Sequence, residues 1–187
     1  MKTFEELKED LLERAKKHHA CQDGYSMGLN AKSKQDLLKA ITDNWYWVLS
    51  TSKMIDANYL EKNFTEEELT EAGIYTRKEH TSNAKSFACG SATVEAYGSA
   101  TVEAYDSATV EAYDSATVEA YDSAKVEAYD SAKVEAYGSA KVEAYDNSYV
   151  EDCTGNINTV SDHGIVKDYH NHKIYIKKGK FKIIEIE

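Results

Sequence analysis

Gly90-Ser91-Ala92-Thr93-Val94-Glu95-Ala96-Tyr97 is followed at once by Gly98-Ser99-Ala100-Thr101-Val102-Glu103-Ala104-Tyr105, and the octapeptide runs seven times without a break to Tyr145. Its only variations are Asp for Gly and Lys for Thr. A fixed period over such a length marks a repeat architecture. Within each octad Ala92, Val94 and Ala96 alternate with Thr93, Glu95 and Tyr97, which is the two-residue rhythm of a strand with one buried face. Gly or Asp supplies the turn. A helix fits badly, because eight residues make about 2.2 turns and the apolar stripe would drift by roughly 80° per repeat.

The octads therefore predict a β-solenoid. Two octads, or 16 residues, make the simplest coil, with one strand on each side. Ala-Val-Ala facing Ala-Val-Ala fills a thin two-sided core, whereas a three-sided coil would leave a void that such small side chains cannot fill. Degenerate copies flank the regular block. Asn83–Gly90 keeps Ala84 and Ala88 in register, Asn147–Cys153 retains Val150 and Glu151, and Val160, Ile165 and Val166 mark looser segments. Roughly twelve octads then span residues 82–177, giving about six coils and a rod on the order of 30 Å long at ~4.8 Å per coil. Such a rod leaves two open ends that need covers. The helical segment is expected to cover one. The Ile/Phe-rich C-terminus covers the other, as a hairpin of Ile174–Ile176 and Phe181–Ile186 around Lys177–Lys180.

Residues 1 to about 72 read as three or four short helices. Thr3 with Glu6 is a capping box ahead of Phe4, Leu7 and Leu11, in a helix that ends near His18–Cys21, before Asp23-Gly24. Ser33 with Asp36 is a second such signal, Asp43 or Asn44 caps a third helix through Trp45–Leu49, and Thr65 with Glu68 opens a fourth that Gly73 closes. The fold class is thus α+β: a helical domain over residues 1–74, then a solenoid domain over 75–187 with regular octads at 90–145 and a C-terminal β-hairpin cap at about 154–187.

The chain has 187 residues and a net charge of −11, and residues 90–146 alone hold 12 acidic against 3 basic side chains. Direct binding of the repeat to nucleic acid or to an anionic membrane is disfavoured on that balance, and a protein partner with a basic cleft is favoured. Self-association through the rod is left open. The charged N-terminus lacks the apolar core of a secretory signal, and no stretch approaches the ~18 apolar residues of a membrane span. Cytoplasmic localisation is expected. Cys21, Cys89 and Cys153, odd in number and far apart, suit reduced thiols.

With 16 residues per coil, one face stacks Glu95, Glu111, Glu127 and Glu143, and the other Glu103, Glu119, Glu135 and Glu151. Tyr97, Tyr113, Tyr129 and Tyr145 stack beside the first, with Tyr105, Tyr121 and Tyr137 beside the second. Lys125, Lys133 and Lys141 shield the later coils. The expected binding surface is accordingly Glu95, Glu103, Glu111 and Glu119 with Tyr97, Tyr105, Tyr113 and Tyr121. The same residues also suit a plain solvated face. An ice-binding threonine array fits poorly, since lysine replaces the threonines halfway along.

No nucleophile elbow, phosphate loop, Cys-x-x-Cys or HExxH occurs, and Cys153 with His163 has no supporting context, so no catalytic residue and no cofactor are assigned. His170 and His172, placed on one strand face near His163, Asp162, Asp168 and Cys153, are weak metal candidates and read better as polar end-cap residues. His18, His19 and Cys21 suit the charge at a helix C-terminus. Trp45 and Trp47 read as core.

The octads resemble the SATVEAYD-type repeats of uncharacterised proteins from bacteriophages and other bacterial mobile elements, over residues 82 to about 153. Ala20–Gly24 leading to Trp45-Tyr46-Trp47 is more weakly similar to a small helical module that accompanies such proteins. The resemblance implies a non-enzymatic accessory protein that binds or inhibits a host factor, by nucleic-acid mimicry or another anti-defence route. A structural spacer or self-assembling scaffold is the alternative, and a metal-dependent enzyme a more distant one.

Overall fold

In the computed structural model, which describes residues 1–156 and 159–184, the chain divides into two compact units: residues 1–76 and the remainder from Arg77.

The first unit is helical. Helix α1 (Phe4–Lys17) opens on the expected capping box, with Thr3 Oγ1 accepting from Glu6 N at 3.2 Å and Thr3 N donating to Glu6 Oε2 at 2.8 Å. Helix α3 (Lys34–Thr42) is capped by Ser33, and α5 (Glu66–Glu71) by the Thr65/Glu68 box before Gly73 at φ 72°. Two helices escape the sequence reading. Helix α2 (Gln22–Asn30) runs through Asp23-Gly24, and α4 (Ala57–Asn63) starts at the Asp56 cap. Gly24 ends no helix here; it lets α2 approach its neighbours. A Cβ at Gly24 would lie 3.2 Å from Asn44 Oδ1, and one at Gly28 would lie 3.3 Å from Leu12 Cδ2. The segment expected as a third helix is a π-helical turn, Trp47–Thr51, closed by Ser52, whose N–H donates to Trp47 O at 2.8 Å. Strand β1 (Ile74–Tyr75) is the unit's last element.

The second unit is a two-sided parallel solenoid. Strands β2 (Glu79–Ser82), β4 (Thr93–Ala96), β6 (Thr109–Ala112), β8 (Lys125–Ala128), β10 (Lys141–Ala144) and β12 (Thr159–Val160) stack in that order as one sheet. The other sheet runs β3 (Lys85–Ala88), β5 (Thr101–Ala104), β7 (Thr117–Ala120), β9 (Lys133–Ala136), β11 (Tyr149–Asp152) and β13 (Ile165–Asp168), with β14 (Lys173–Ile176) antiparallel on β13. The register joins residue i to i+16, as in Val94↔Val110 and Val102↔Val118, so about six coils of two octads follow as the repeat length demands.

Each valine and both alanines of an octad point inward. Val94, Val102, Val110 and Val118 are fully buried, as are Ala92, Ala96, Ala100 and Ala104. The corners are held by left-handed residues: Gly90 and Gly98 at φ 64° and 65°, and Asp106, Asp114, Asp122 and Asp130 at 50–57°. Gly adopts that conformation freely and Asp or Asn at modest cost, whereas other residue types meet a larger steric penalty, which accounts for the restriction of this octad position to Gly and Asp. At Gly164, which takes an inward alanine's place, the reason for glycine is space: a Cβ would come within 2.8 Å of Ala144 O.

The C-terminal hairpin forms, but one strand earlier than the apolar pattern suggests. Lys173–Ile176 folds back on Ile165–Asp168, because Asp168 accepts from Asn171 N at 2.7 Å and Asn171 Nδ2 at 2.8 Å and so fixes the turn between them. Phe181–Ile184 forms no regular element, and the expected strand's end, Ile186, lies outside the described residues. The large apolar side chains here are not inserted as a plug. Ile174, Ile183 and Ile184 are exposed.

Val118→Asp buries an unpaired charge, whereas Thr117→Asp adds one to an accessible face. Chemical denaturation should show a loss of about 3–5 kcal/mol or outright misfolding for the first, and less than ~1 kcal/mol for the second. Deleting residues 106–121 removes one coil and should leave a cooperative, folded protein with a smaller denaturant m-value. Deleting 106–113 alone moves every later octad to the opposite sheet and should lower the denaturation midpoint more.

Candidate functional site

Outward positions of the octads form continuous columns. Parallel in-register pairing sets Glu95 beside Glu111, Glu111 beside Glu127 and Glu127 beside Glu143 on one sheet, and Glu103, Glu119, Glu135 and Glu151 on the other. Like charges at this spacing, ~4.8 Å, repel by about 1 kcal/mol per pair in water.

The tyrosines offset that repulsion. Their rings stack face to face, Tyr97–Tyr113–Tyr129–Tyr145 at 4.9, 5.0 and 4.9 Å between centroids and Tyr105–Tyr121–Tyr137 at 4.6 and 5.0 Å. Six of these hydroxyls reach back two residues to the glutamate of their own octad. Tyr97 donates to Glu95 at 3.0 Å, Tyr113 to Glu111 at 2.6 Å, Tyr121 to Glu119 at 2.8 Å, Tyr129 to Glu127 at 2.5 Å and Tyr137 to Glu135 at 2.7 Å, and Tyr145 donates likewise to Glu143. Charge-assisted bonds of this kind are the strong ones, and here they fix each carboxylate in one orientation.

A third acidic column follows the corners. Asp114, Asp130 and Asp146 carboxylates accept backbone N–H groups one coil below, from Gly98 at 2.9 Å, Asp114 at 3.0 Å and Asp130 at 3.2 Å. On the opposite corner Asp106 accepts from Gly90 N at 3.2 Å. A residue that tolerates the left-handed turn thus also fastens successive coils, which glycine cannot do.

The two faces are not equally open. Glu103 lies mostly buried, paired with Lys85 Nζ at 3.1 Å, and its pKa is raised by burial, with Lys85 opposing the rise. Tyr105 is 1% exposed, against 37% for Tyr97. Of the eight residues expected to bind, Glu95, Glu111, Tyr97 and Tyr113 lie together on one sheet, while Glu103, Glu119, Tyr105 and Tyr121 belong to the other, more covered at its start. Lys125, Lys133 and Lys141 are exposed beside the later glutamates, on the same faces.

His170 and His172 do not share a strand face. Both lie exposed in the β13–β14 turn, where His172 has φ 55° and His170 packs against Gly155, whose Cβ would come within 2.6 Å of its ring. Among the described residues no group of three or more His, Cys, Asp or Glu side chains is placed to hold a metal ion. The Cys153 thiol is exposed, its pKa pushed up by partial burial and then by Asp152.

Asp152, which the sequence reading passed over, and Asp168, which it placed only near the weak histidine candidates, sit where an octad carries its second alanine. Asp152 and Asp168 are buried and in register, and each accepts bonds from its own turn: Asp152 from Thr154 N and Oγ1 at 2.8 and 2.6 Å, Asp168 from Asn171. They act as turn caps. Alignment to the octad reveals their inward position, but the partners lie in irregular sequence. Trp45 is core, 2% exposed, whereas Trp47 lines an apolar cavity in the helical unit. Among the described residues no helix is long and apolar enough to cross a membrane. Set against models of protein families, curated proteins and solved structures, the chain matches none.

The Tyr–Glu pairs predict an alkaline transition. Hydrogen bonding to Glu111, Glu127 and Glu135 raises Tyr113, Tyr129 and Tyr137 well above the ordinary phenol value, burial and Glu119 do the same for Tyr121, and Glu143 pushes Tyr145 up to about 12. A raised folded pKa gives stability that is complete below pH ~10, the unfolded value, and lost as pH rises from there through the folded pKa. Phenolate absorbance near 295 nm should therefore lag that of a denatured control above pH ~10, then rise together with loss of β-sheet circular dichroism. Titration of the repeat tyrosines at the control pH would contradict the ladder.

Proposed function

We propose that this protein is a non-enzymatic interaction protein whose open solenoid face, Glu95/Glu111 with Tyr97/Tyr113 and the adjoining Asp114, docks in the basic cleft of a protein partner. The observation that carries the reading is the fixed carboxylate array. Each glutamate is oriented by a tyrosine hydroxyl and repeats in register, so its charge is presented without the side-chain ordering cost that a mobile carboxylate would incur on binding.

Charge density supports a partner that ordinarily binds nucleic acid. A coil side with Thr on its strand and Asp at its corner, as at Glu111 and Asp114, carries two carboxylates per ~4.8 Å, or one per ~2.4 Å, against one charge per ~1.7 Å in duplex DNA. Lysine halves the net density on later coils such as Lys125–Asp130, which makes the early coils the stronger face. The likeness of the octads to phage and mobile-element repeats points the search to host defence or nucleic-acid enzymes inside a bacterial cell. A spacer role would use the same coils but would require neither oriented carboxylates nor an uneven distribution of lysine.

The test combines affinity capture from a bacterial extract with charge removal. Glu95→Gln, Glu111→Gln and Asp114→Asn together keep acceptors for the Tyr97 and Tyr113 hydroxyls and the Gly98 N–H, so the fold should persist by circular dichroism. Captured basic-cleft proteins should be retained by the parent chain, released by moderate salt, and bound at least tenfold more weakly by the triple variant, with a flatter salt dependence. Glu127→Gln with Glu143→Gln should do less. Capture that ignores the triple change would overturn the reading, and self-association alone would favour the spacer.

A further inference from the structure

The helical unit carries a half-open cavity of about 220 Å³ that the solenoid's role does not use. Its walls come from α1 (Leu11, Leu12), α2, α3 (Leu37, Ile41), the π-helical turn (Trp47, Val48) and Met54. The space has a sequence origin. Ala15, Ala20, Gly24, Gly28 and Ala40 also line it, so small residues meet where α1, α2 and α3 converge.

The lining is mostly apolar, which favours a hydrophobic occupant over ordered water, since an ordered water needs two to four polar partners. Hydrocarbon-lined cavities of roughly 150 Å³ stay dry and take up benzene. Cys21, Tyr25 and Asn44 interrupt the apolar wall, and Asn44 supplies the acceptor. Both side-chain hydrogen bonds of Asn44 run through Nδ2, to Ala40 O at 2.9 Å and to Met27 Sδ at 3.6 Å, which fixes the amide orientation. Its Oδ1 is held beside Gly24 at the cavity wall, and among the described residues it accepts no hydrogen bond. A concave apolar site with one convergent acceptor is the ordinary form of a small-molecule pocket.

We infer that this cavity is a binding site for an uncharged one- or two-ring aromatic molecule carrying a single N–H or O–H donor, which Asn44 Oδ1 accepts while Trp47, Leu37 and Ile41 bury the ring. A charged ligand is excluded, because no charged side chain lines the cavity to pair with it. The site is independent of the solenoid's partner.

The test titrates the full chain with indole and with benzothiophene, a bicycle of nearly the same shape that has no donor, and follows 1H–15N spectra. Indole should give saturable shifts confined to residues of α1, α2, α3, the π-helical turn and Met54, and benzothiophene should bind about tenfold more weakly, the worth of one buried hydrogen bond. Ala15→Leu, which fills the space, should abolish the indole shifts while the rest of the spectrum keeps its folded dispersion. The absence of saturable shifts at the cavity, or shifts of equal size in the filled variant, overturns the site. Equal affinity for the two probes overturns the assignment of Asn44. The two-probe comparison needs only the parent protein, so a failure of the filled variant to fold leaves the inference falsifiable.

Discussion

In-register pairing of residue i with residue i+16 is the constraint on which the solenoid depends. An octad buries one valine and two alanines, worth only a few kcal/mol, against roughly 1–2 kcal/mol of backbone entropy for each residue fixed. No coil can persist alone. The strands gain enough only by stacking, and stacking requires every corner to turn through the same angle at the same place. A left-handed Gly or Asp every eighth residue meets that requirement, and the Asp carboxylate bonded to the coil below makes the corner an adhesive as well as a hinge.

The same register that builds the core creates the surface problem. Identical octads necessarily set glutamate beside glutamate, and the fold answers with tyrosine two residues on, whose ring stacks on the next tyrosine and whose hydroxyl bonds the carboxylate. Stability and surface chemistry are therefore coupled: the groups that quiet the charge repulsion also hold the charges in fixed array. A phenol that stabilises by keeping its proton makes strong alkali a natural disruptor of this surface.

The helical unit follows a different logic. Its stability rests on large side chains, with Leu7, Leu37, Leu38, Leu60, Trp45 and Phe64 at most 2% exposed, and its helices are fixed by side-chain caps at Thr3, Ser33, Asp56 and Thr65. Glycines on α2 permit a close approach to α1 and Asn44 but leave space between the helices, and that space supplies the one concave apolar site described above.

The sequence by itself determined the architecture of the repeat, because a period of eight with two-residue alternation admits one buried face, one turn residue and, with only Ala and Val inside, a two-sided coil. It also determined α1, α3 and α5, whose caps are local. Tertiary structure decided the rest. Gly24 reads as a helix end in sequence and is a packing residue in the fold, since only the neighbouring Asn44 explains it. The π-helical turn after Tyr46 and the hairpin at Ile165–Ile176 were set by bonds to Trp47 O and Asp168 that no local pattern announces. Nor could the octads, nearly identical in sequence, reveal that Glu103 and Tyr105 are far more covered than Glu95 and Tyr97. Repetition fixes what each octad does within the ladder, whereas exposure depends on what packs over it, and that is a property of the folded chain alone.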